Sequence, residues 1–135
     1  MTLSDFGLRI LLGILAFYHL GIGVVSAFWP ERTYRVAGAL YAIQVTPDLP
    51  LNYAVRMLGL YALTFSYLLT LAALHPARYP DTIRACILLL LLRAAWRLRY
   101  RQEFTRAFSV TPRRNLGHAL LLLAEAGLLL AWFPA

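Results

Sequence analysis

Lysine is absent from this sequence, cysteine occurs once, and carboxylates are few. All thirteen basic residues are therefore arginines, against six acidic residues. The single thiol, Cys86, can form neither an intrachain disulfide nor a CxxC redox pair, which excludes the thiol–disulfide oxidoreductases. Only 14% of the residues are charged, where a soluble domain carries about a quarter. With 61% hydrophobic residues, the composition suits a lipid environment and predicts a membrane protein.

Catalytic motifs are missing as well. The sequence holds no HExxH pair, no clustered carboxylates, no glycine-rich phosphate loop and no nucleophile spaced from a base. It therefore predicts no metal site and no catalytic residues, and it favours a protein that is not an enzyme. The arginines lie at the ends of apolar runs, without the basic groove or aromatic-rich module of a nucleic-acid-binding protein. We expect no nucleic-acid partner and attribute the net charge of +7 to membrane topology.

Four apolar stretches suit the hydrocarbon layer of a membrane, which is about 30 Å thick. They predict an all-α fold, an integral membrane four-helix bundle in a single domain of residues 1–135. The predicted spans are residues 6–29, 53–74, 82–98 and 116–133. The third span is apolar only from Ala85 to Leu92, so it crosses only if Arg84 and Arg97 reach opposite interfaces. Arg93 then lies about one helical turn inside the hydrocarbon region.

The two longer connections differ in character. Residues 30–52 contain an apolar stretch that is too short to span, followed by Pro47 and Pro50, which break it. They predict an interfacial linker, either an amphipathic helix with its tyrosines at headgroup level or an ordinary loop. Residues 99–115 predict an arginine-rich cytoplasmic loop on an anionic leaflet. Its predicted lipid-contacting residues are Arg99, Arg101, Arg106, Arg113 and Arg114.

Positive charge predicts the orientation, because short loops rich in arginine stay in the cytoplasm. If the N-terminus lies outside, residues 30–52 and 99–115 both face the cytoplasm and Arg78 is left in the outer loop. The sequence therefore predicts both termini on the non-cytoplasmic side. The expected location is the bacterial inner membrane, with several crossings.

Ionisable side chains inside the predicted spans are the main functional candidates, because their burial in lipid is costly. The candidate residues of this polar cluster are His19, Arg93, His118, Glu125 and Tyr67. His118 and Glu125 are seven residues apart, so they share one helix face. His19 and Glu125 each lie about nine residues from the cytoplasmic end of their span, so we expect them to meet at similar depth.

The polar cluster has a functional and a structural interpretation. In the first, Arg93 or His19 holds Glu125, and the cluster relays protons or binds the head of a quinone-like ligand. In the second, Arg93 and Glu125 form a buried ion pair that fixes the helix register. A haem would require His19 and His118 at one depth, but their predicted depths differ by about 9 Å. No cofactor is therefore predicted, with a haem or a quinone kept as alternatives.

Parts of this pattern resemble the small DoxX-like four-helix membrane proteins of bacteria. Span one begins with RILLG at Arg9, span two begins with RMLGLY at Arg56, and a short prolyl link joins spans two and three. In each start, and in RNLG at Arg114, a glycine about one turn after the arginine permits close helix approach. The resemblance implies an accessory subunit or small partner of a redox system, and it transfers no catalytic residues.

Three functions are compatible with these features. The leading expectation is a non-catalytic accessory subunit or assembly factor of a larger membrane complex, such as a respiratory or redox complex. Its partners are then the lipid bilayer and other membrane subunits or further copies of itself. The second is a small redox or proton-relay protein that uses His19, Arg93 and Glu125. The third is a homo-oligomeric transporter or channel lined by Tyr67 and Thr70.

Overall fold

The computed structural model describes residues 3–133, which are helical apart from short connections. The helices are α1 (Leu3–Phe28), α2 (Pro30–Tyr41), α3 (Leu49–Leu74), α4 (Pro80–Arg99), α5 (Arg101–Phe108) and α6 (Pro112–Ala131). A short 3-10 turn, Pro76–Arg78, joins α3 to α4. No strand occurs in this range, so the predicted all-α fold is confirmed.

Three helices, α1, α3 and α6, are long and apolar enough to cross a membrane, with mean hydropathies of 2.1, 1.8 and 1.2. At most 39% of the residues in these stretches are buried by other parts of the chain. Their apolar surface therefore faces outward, as lipid allows and water does not. By length and composition the chain is a helical membrane protein. The fourth long helix, α4, is not among the three, because Arg84, Arg93 and Arg97 interrupt its apolar run.

Helices α1 and α3 pack against each other backbone to backbone. A Cβ atom on Gly59 would lie 2.5 Å from the nitrogen of Ala27, and one on Gly23 would lie 2.9 Å from a backbone nitrogen of α3. Small residues permit this close approach between membrane helices. The Ser66 hydroxyl donates a hydrogen bond of 2.8 Å to the Ala16 carbonyl. Residue numbers rise along one helix as they fall along the other, so the pair is antiparallel.

The close approach predicted after each arginine start occurs at Gly59 and not at the other two glycines. A Cβ atom on Gly13 or Gly117 would meet no neighbouring atom within 4 Å. These glycines face away from the neighbouring helices, so for them the prediction of close helix contact is wrong. A glycine one turn after an arginine therefore does not by itself locate a helix contact.

Helices α4 and α6 form a second antiparallel pair. At one end, the Arg97 guanidinium donates to Oδ1 of Asn115 at 3.0 Å, and Nδ2 of Asn115 donates to the Arg97 carbonyl at 3.1 Å. At the other end, the Arg84 guanidinium lies 5.2 Å from the centre of the Phe133 ring. The two ends of α4 thus contact opposite ends of α6.

The aliphatic core fills only one half of the molecule. Its members belong to residues 8–16 of α1, 69–72 of α3, 83–94 of α4 and 122–129 of α6. We call this part, next to the start of α1, the closed half. The open half is the part next to α2 and α5. It contains residues 17–28 of α1, 49–65 of α3, the C-terminal end of α4 and residues 112–121 of α6. There, cavities separate the two helix pairs.

Helix α2 folds back from the end of α1 towards the open half. Pro30 begins the helix, because a proline in the first turn needs no hydrogen-bond acceptor for its nitrogen. At the other end, the hydroxyl of Tyr41 shares a hydrogen bond of 2.5 Å with that of Tyr18 in α1. The linker is therefore helical over twelve residues. Tyr41 contacts α1. The interpretation as an interfacial helix had instead predicted that it lies free at headgroup level.

Two helices begin four residues before their predicted starts. Helix α3 starts at Leu49 because Asp48 accepts a hydrogen bond of 2.8 Å from the Leu51 nitrogen. Pro50 lies in its first turn, where proline is tolerated, so its interpretation as a helix breaker was wrong. Helix α6 starts at Pro112. The segment 99–115, predicted as a loop, contains α5.

Candidate functional site

Four of the five predicted cluster residues line one cavity where the open half meets the aliphatic core. The cavity has a volume of about 270 Å³ and lies between α1, α4 and α6. Its lining includes His19, Arg93, His118 and Glu125. Tyr67 does not line it and is 64% exposed on the outer surface of α3. Successive helix residues are about 100° apart, so α3 turns Tyr67 away from α1 when it turns Ser66 towards it.

Sequence reasoning missed three polar residues of this cavity, which are Tyr18, Tyr41 and Arg97. Tyr41 belongs to the linker, and only the return of α2 brings it to α1. Arg97 was assigned to the membrane interface, whereas it is about half buried beside Asn115. Of these three residues, only Tyr18 could have been suspected from the sequence, because it directly precedes His19.

His118 presents an unpaired nitrogen. Its Nδ1 is the one buried side-chain nitrogen or oxygen without a hydrogen-bond partner among residues 3–133. The ring packs edge-on against Tyr41, with the ring centres 5.0 Å apart, so its orientation is constrained. Leaving a buried polar atom unpaired costs about 1–3 kcal/mol. In this ring orientation the nitrogen has almost no accessible surface, so it is Nε2 that a ligand in the cavity could approach.

His19 is oriented from two sides. Its Nδ1 lies 2.8 Å from the Leu15 carbonyl, which can only accept, so Nδ1 carries the proton. In the neutral ring Nε2 is then an acceptor. The ring also packs edge-on against Phe65 of α3, with the centres 5.1 Å apart. The two histidines of this cavity therefore differ in hydrogen bonding. Nδ1 of His19 is paired with a backbone carbonyl, and Nδ1 of His118 is not paired.

Arg93 and Glu125 line the cavity without forming an ion pair. Within residues 3–133, the only ion pair shorter than 4.0 Å joins Arg84 to Asp81 at 2.7 Å, on the surface. The buried Arg93–Glu125 ion pair of the structural interpretation is therefore not formed. Both charged groups face the cavity, where a guanidinium offers only donors and an ionised carboxylate only acceptors.

Tyr41 is the residue of α2 that lines this cavity. Burial, together with the hydrogen bond shared with Tyr18, raises the pKa of Tyr41 above its usual value of 10.0. The hydroxyl therefore stays protonated at neutral pH and remains able to donate. The two hydroxyls share one hydrogen bond that holds α2 against α1, so one of the two protons is left to donate within the site.

A second cavity adjoins the first. It has a volume of about 680 Å³ and lies between α1, α2, α3 and α4. Most of its other lining residues are apolar, among them Ile22, Leu58 and Leu89. Five residues line both cavities, and they are Tyr18, His19, Tyr41, Arg93 and Arg97. A polar cavity thus opens beside a larger and mainly apolar one.

The five arginines predicted to contact lipid fall into two groups. Arg101, Arg106 and Arg113 line a groove of about 680 Å³ between α5 and α6. Arg99 and Arg114 are exposed and do not line it. The Arg99 guanidinium instead lies 5.3 Å from the centre of the Tyr100 ring.

Comparison with protein-family models, characterised proteins and solved structures finds no match for this chain. The resemblance to DoxX-like proteins therefore stays a prediction. Within residues 3–133, no three His, Cys, Asp or Glu side chains are grouped to hold a metal ion. The fold and the cavity define the class as a helical membrane protein with a polar cavity between two helix pairs.

Proposed function

We propose that this protein is a four-helix membrane bundle that binds an amphipathic ligand with a quinone-like head group. The observation that carries the proposal is that His19, Arg93, His118 and Glu125, on three different helices, line one cavity together. Polar groups at membrane depth require a partner, because lipid supplies none.

The volumes favour a ring with an apolar tail. Ligand pockets usually measure about 300–1,000 Å³. A cavity of about 270 Å³ is suited to a single ring, and the adjoining cavity of about 680 Å³ gives an apolar path for a tail. The oxygen atoms of such a head then meet the polar groups of the smaller cavity.

Donors and acceptors are both available to the head group. The guanidinium groups of Arg93 and Arg97 and one hydroxyl of the Tyr18–Tyr41 pair donate to carbonyl oxygens. His19 Nε2 and Glu125 accept from hydroxyl groups. The site is therefore compatible with a quinone, whose oxygens accept, and with a quinol, whose hydroxyls donate.

A fourth crossing by α4 belongs to this proposal. The helix has 20 residues, which corresponds to about 30 Å. Arg84 lies near one end, where a long side chain reaches the interface. Arg97, near the other end, lines the cavities and is paired with Asn115 of α6. Arg93 faces the cavity, so its charge avoids lipid. The length of α4 and the positions of its arginines both support a membrane crossing by this helix despite its charges.

The proposed orientation puts the open half in the cytoplasmic leaflet of a bacterial inner membrane, with both termini outside. The Gln44 nitrogen donates a hydrogen bond of 3.0 Å to the Phe108 carbonyl, which joins the linker after α2 to the end of α5. The arginines of both connections therefore gather at one end, and this supports the positive-inside orientation.

The other expected functions stay predictions. A role as an accessory subunit or assembly factor is compatible with ligand binding. A transporter or channel lined by Tyr67 and Thr70 would have to form between copies, because both residues face outward.

Quinone binding is tested with purified protein in lipid nanodiscs and a short-tailed ubiquinone analogue, by isothermal titration calorimetry. We expect one ligand per chain. The substitution His118→Phe keeps an aromatic ring against Tyr41 but removes both nitrogens, so affinity should fall about tenfold, which corresponds to 1.4 kcal/mol.

The matched control is His75→Phe, because His75 is an exposed histidine at the closed end. It should leave the affinity unchanged. The proposal is wrong if the analogue does not bind to the unaltered protein, or if both substitutions change its affinity equally.

A further inference from the structure

A second binding site lies outside the cavity just described, in the groove between α5 and α6. We propose that this groove binds the phosphodiester headgroup of one anionic phospholipid. It involves none of the residues that line the quinone-like site, so it does not depend on that function.

Three arginines give the groove its charge. Arg101 and Arg106 come from α5 and Arg113 comes from α6, around a space of about 680 Å³. None of them forms an ion pair with a carboxylate in the described range 3–133. Glu103, on the same helix as two of them, does not line the groove. The protein therefore leaves this positive charge uncompensated.

The chemistry of the arginines suits a phosphodiester. A guanidinium donates two parallel hydrogen bonds to phosphate oxygens, and it does so with a fixed planar geometry. Gln102 and Thr105 line the same groove and supply neutral polar groups, whereas the amide of Asn115 is buried and already bonded to Arg97. A headgroup thus meets charge and uncharged hydrogen-bonding partners together.

The groove also has an apolar side, which favours a lipid over a free anion. Leu98 of α4 and Leu116 of α6 line it, and α6 continues from Leu116 as an apolar helix. A phospholipid can therefore place its acyl chains against this surface with its phosphate on the arginines. A free phosphate would use the arginines alone.

Helix α5 is held in place beside α4. The Arg97 guanidinium lies 4.5 Å from the centre of the Phe104 ring and also donates to Asn115 of α6. This contact links α4, α5 and α6 at one point. The two walls of the groove are therefore fixed relative to each other, as a defined site requires.

A defined site differs from general attraction to an anionic leaflet. General attraction depends on the number of nearby charges, at about 1 kcal/mol for each arginine. Binding at a defined site depends instead on which particular arginines are replaced. The chain offers a matched set at the same end of the molecule, because Arg35, Arg99 and Arg114 are exposed and do not line the groove.

The test compares two triple variants that lose the same charge, by native mass spectrometry in mild detergent. One is Arg101→Gln/Arg106→Gln/Arg113→Gln and the other is Arg35→Gln/Arg99→Gln/Arg114→Gln. Each is titrated with phosphatidylglycerol and with zwitterionic phosphatidylcholine. We expect the unaltered protein to retain one phosphatidylglycerol. The groove variant should bind it at least about tenfold more weakly, and the control should change less than about twofold.

Equal weakening in the two triple variants would overturn the proposal, as would equal binding of phosphatidylcholine by the unaltered protein. Complete displacement of the lipid by millimolar inorganic phosphate would also overturn it, because the groove would then be a site for free anions. If the groove variant does not fold, Arg106→Gln compared with Arg99→Gln decides the same question. The variant His118→Phe should retain the lipid, which separates this result from quinone binding.

Discussion

The closed and open halves use the same four long helices but differ in what lies between them. In the closed half, the buried side chains are aliphatic and nearly without exposure, as at Leu12, Leu69 and Leu129. Where the open half meets this core, His19, Arg93 and Glu125 instead face a cavity. The difference indicates that the closed half holds the helix pairs together and leaves the open half free to bind.

The lipid environment explains why the two halves differ in function. Apolar side chains gain little from meeting each other in a membrane, since lipid tails are equally apolar, so close packing and hydrogen bonds associate the helices. Close packing is concentrated in the closed half and along the α1–α3 contact at Gly23 and Gly59. The open half lacks such packing between the pairs, and its polar groups are consequently available to ligands.

The largest effect is expected from Gly59→Leu, which should break the α1–α3 contact. A Cβ atom there would lie 2.5 Å from a backbone nitrogen, and backbone cannot move aside as a side chain can. We expect loss of monodisperse protein on size-exclusion chromatography in detergent. Gly117→Leu is the control. A Cβ atom at this position meets no atom within 4 Å, so this variant should remain monodisperse. Normal behaviour of Gly59→Leu would show that the contact is dispensable.

A smaller effect is expected from Leu12→Ala in the closed half. Leu12 is 0% exposed, and removing a buried leucine side chain lowers the free energy of unfolding by about 2–5 kcal/mol. The same change at Leu121, which lines the open-half cavity and is 56% exposed, should cost less than about 1 kcal/mol. Unfolding in mixed micelles measures both. Equal losses would contradict the division into two halves.

The smallest effect is expected from Tyr41→Phe, which removes the hydrogen bond between α2 and Tyr18. The loss should be about 1 kcal/mol and should appear as faster hydrogen exchange in α2 alone. Faster exchange throughout α1 and α3 would instead mean that the bond supports the whole fold.

The same bond makes a prediction about pH. The pKa of Tyr41 is higher in the folded protein than its usual value of 10.0, so folding favours the protonated phenol. Its contribution is complete below pH 10 and falls as the pH rises through the folded pKa. Exchange protection of α2, corrected for intrinsic rates, should therefore be constant between about pH 7 and 9. A decrease within that range would contradict this assignment.

Much of the candidate site was predictable, and the reason is the cost of burying charge in lipid. That cost identified His19, Arg93, His118 and Glu125 without knowledge of the packing. It did not identify Tyr41, which comes from a linker, or exclude Tyr67, whose hydroxyl lies on the outer face of α3. Helix phase and the path of a linker are settled by contacts between distant residues, and no short stretch of sequence contains them.

The sequence by itself determined the helical membrane class, because apolar run length and backbone hydrogen bonding act within one segment. It also determined which charged groups need a partner. The tertiary structure decided that Arg93 and Glu125 face a cavity without pairing, and that α2 returns to α1. It also decided which half is packed. These outcomes depend on how closely separate helices approach, and that distance is set by side chains far apart in the chain, such as Gly59 and Ala27.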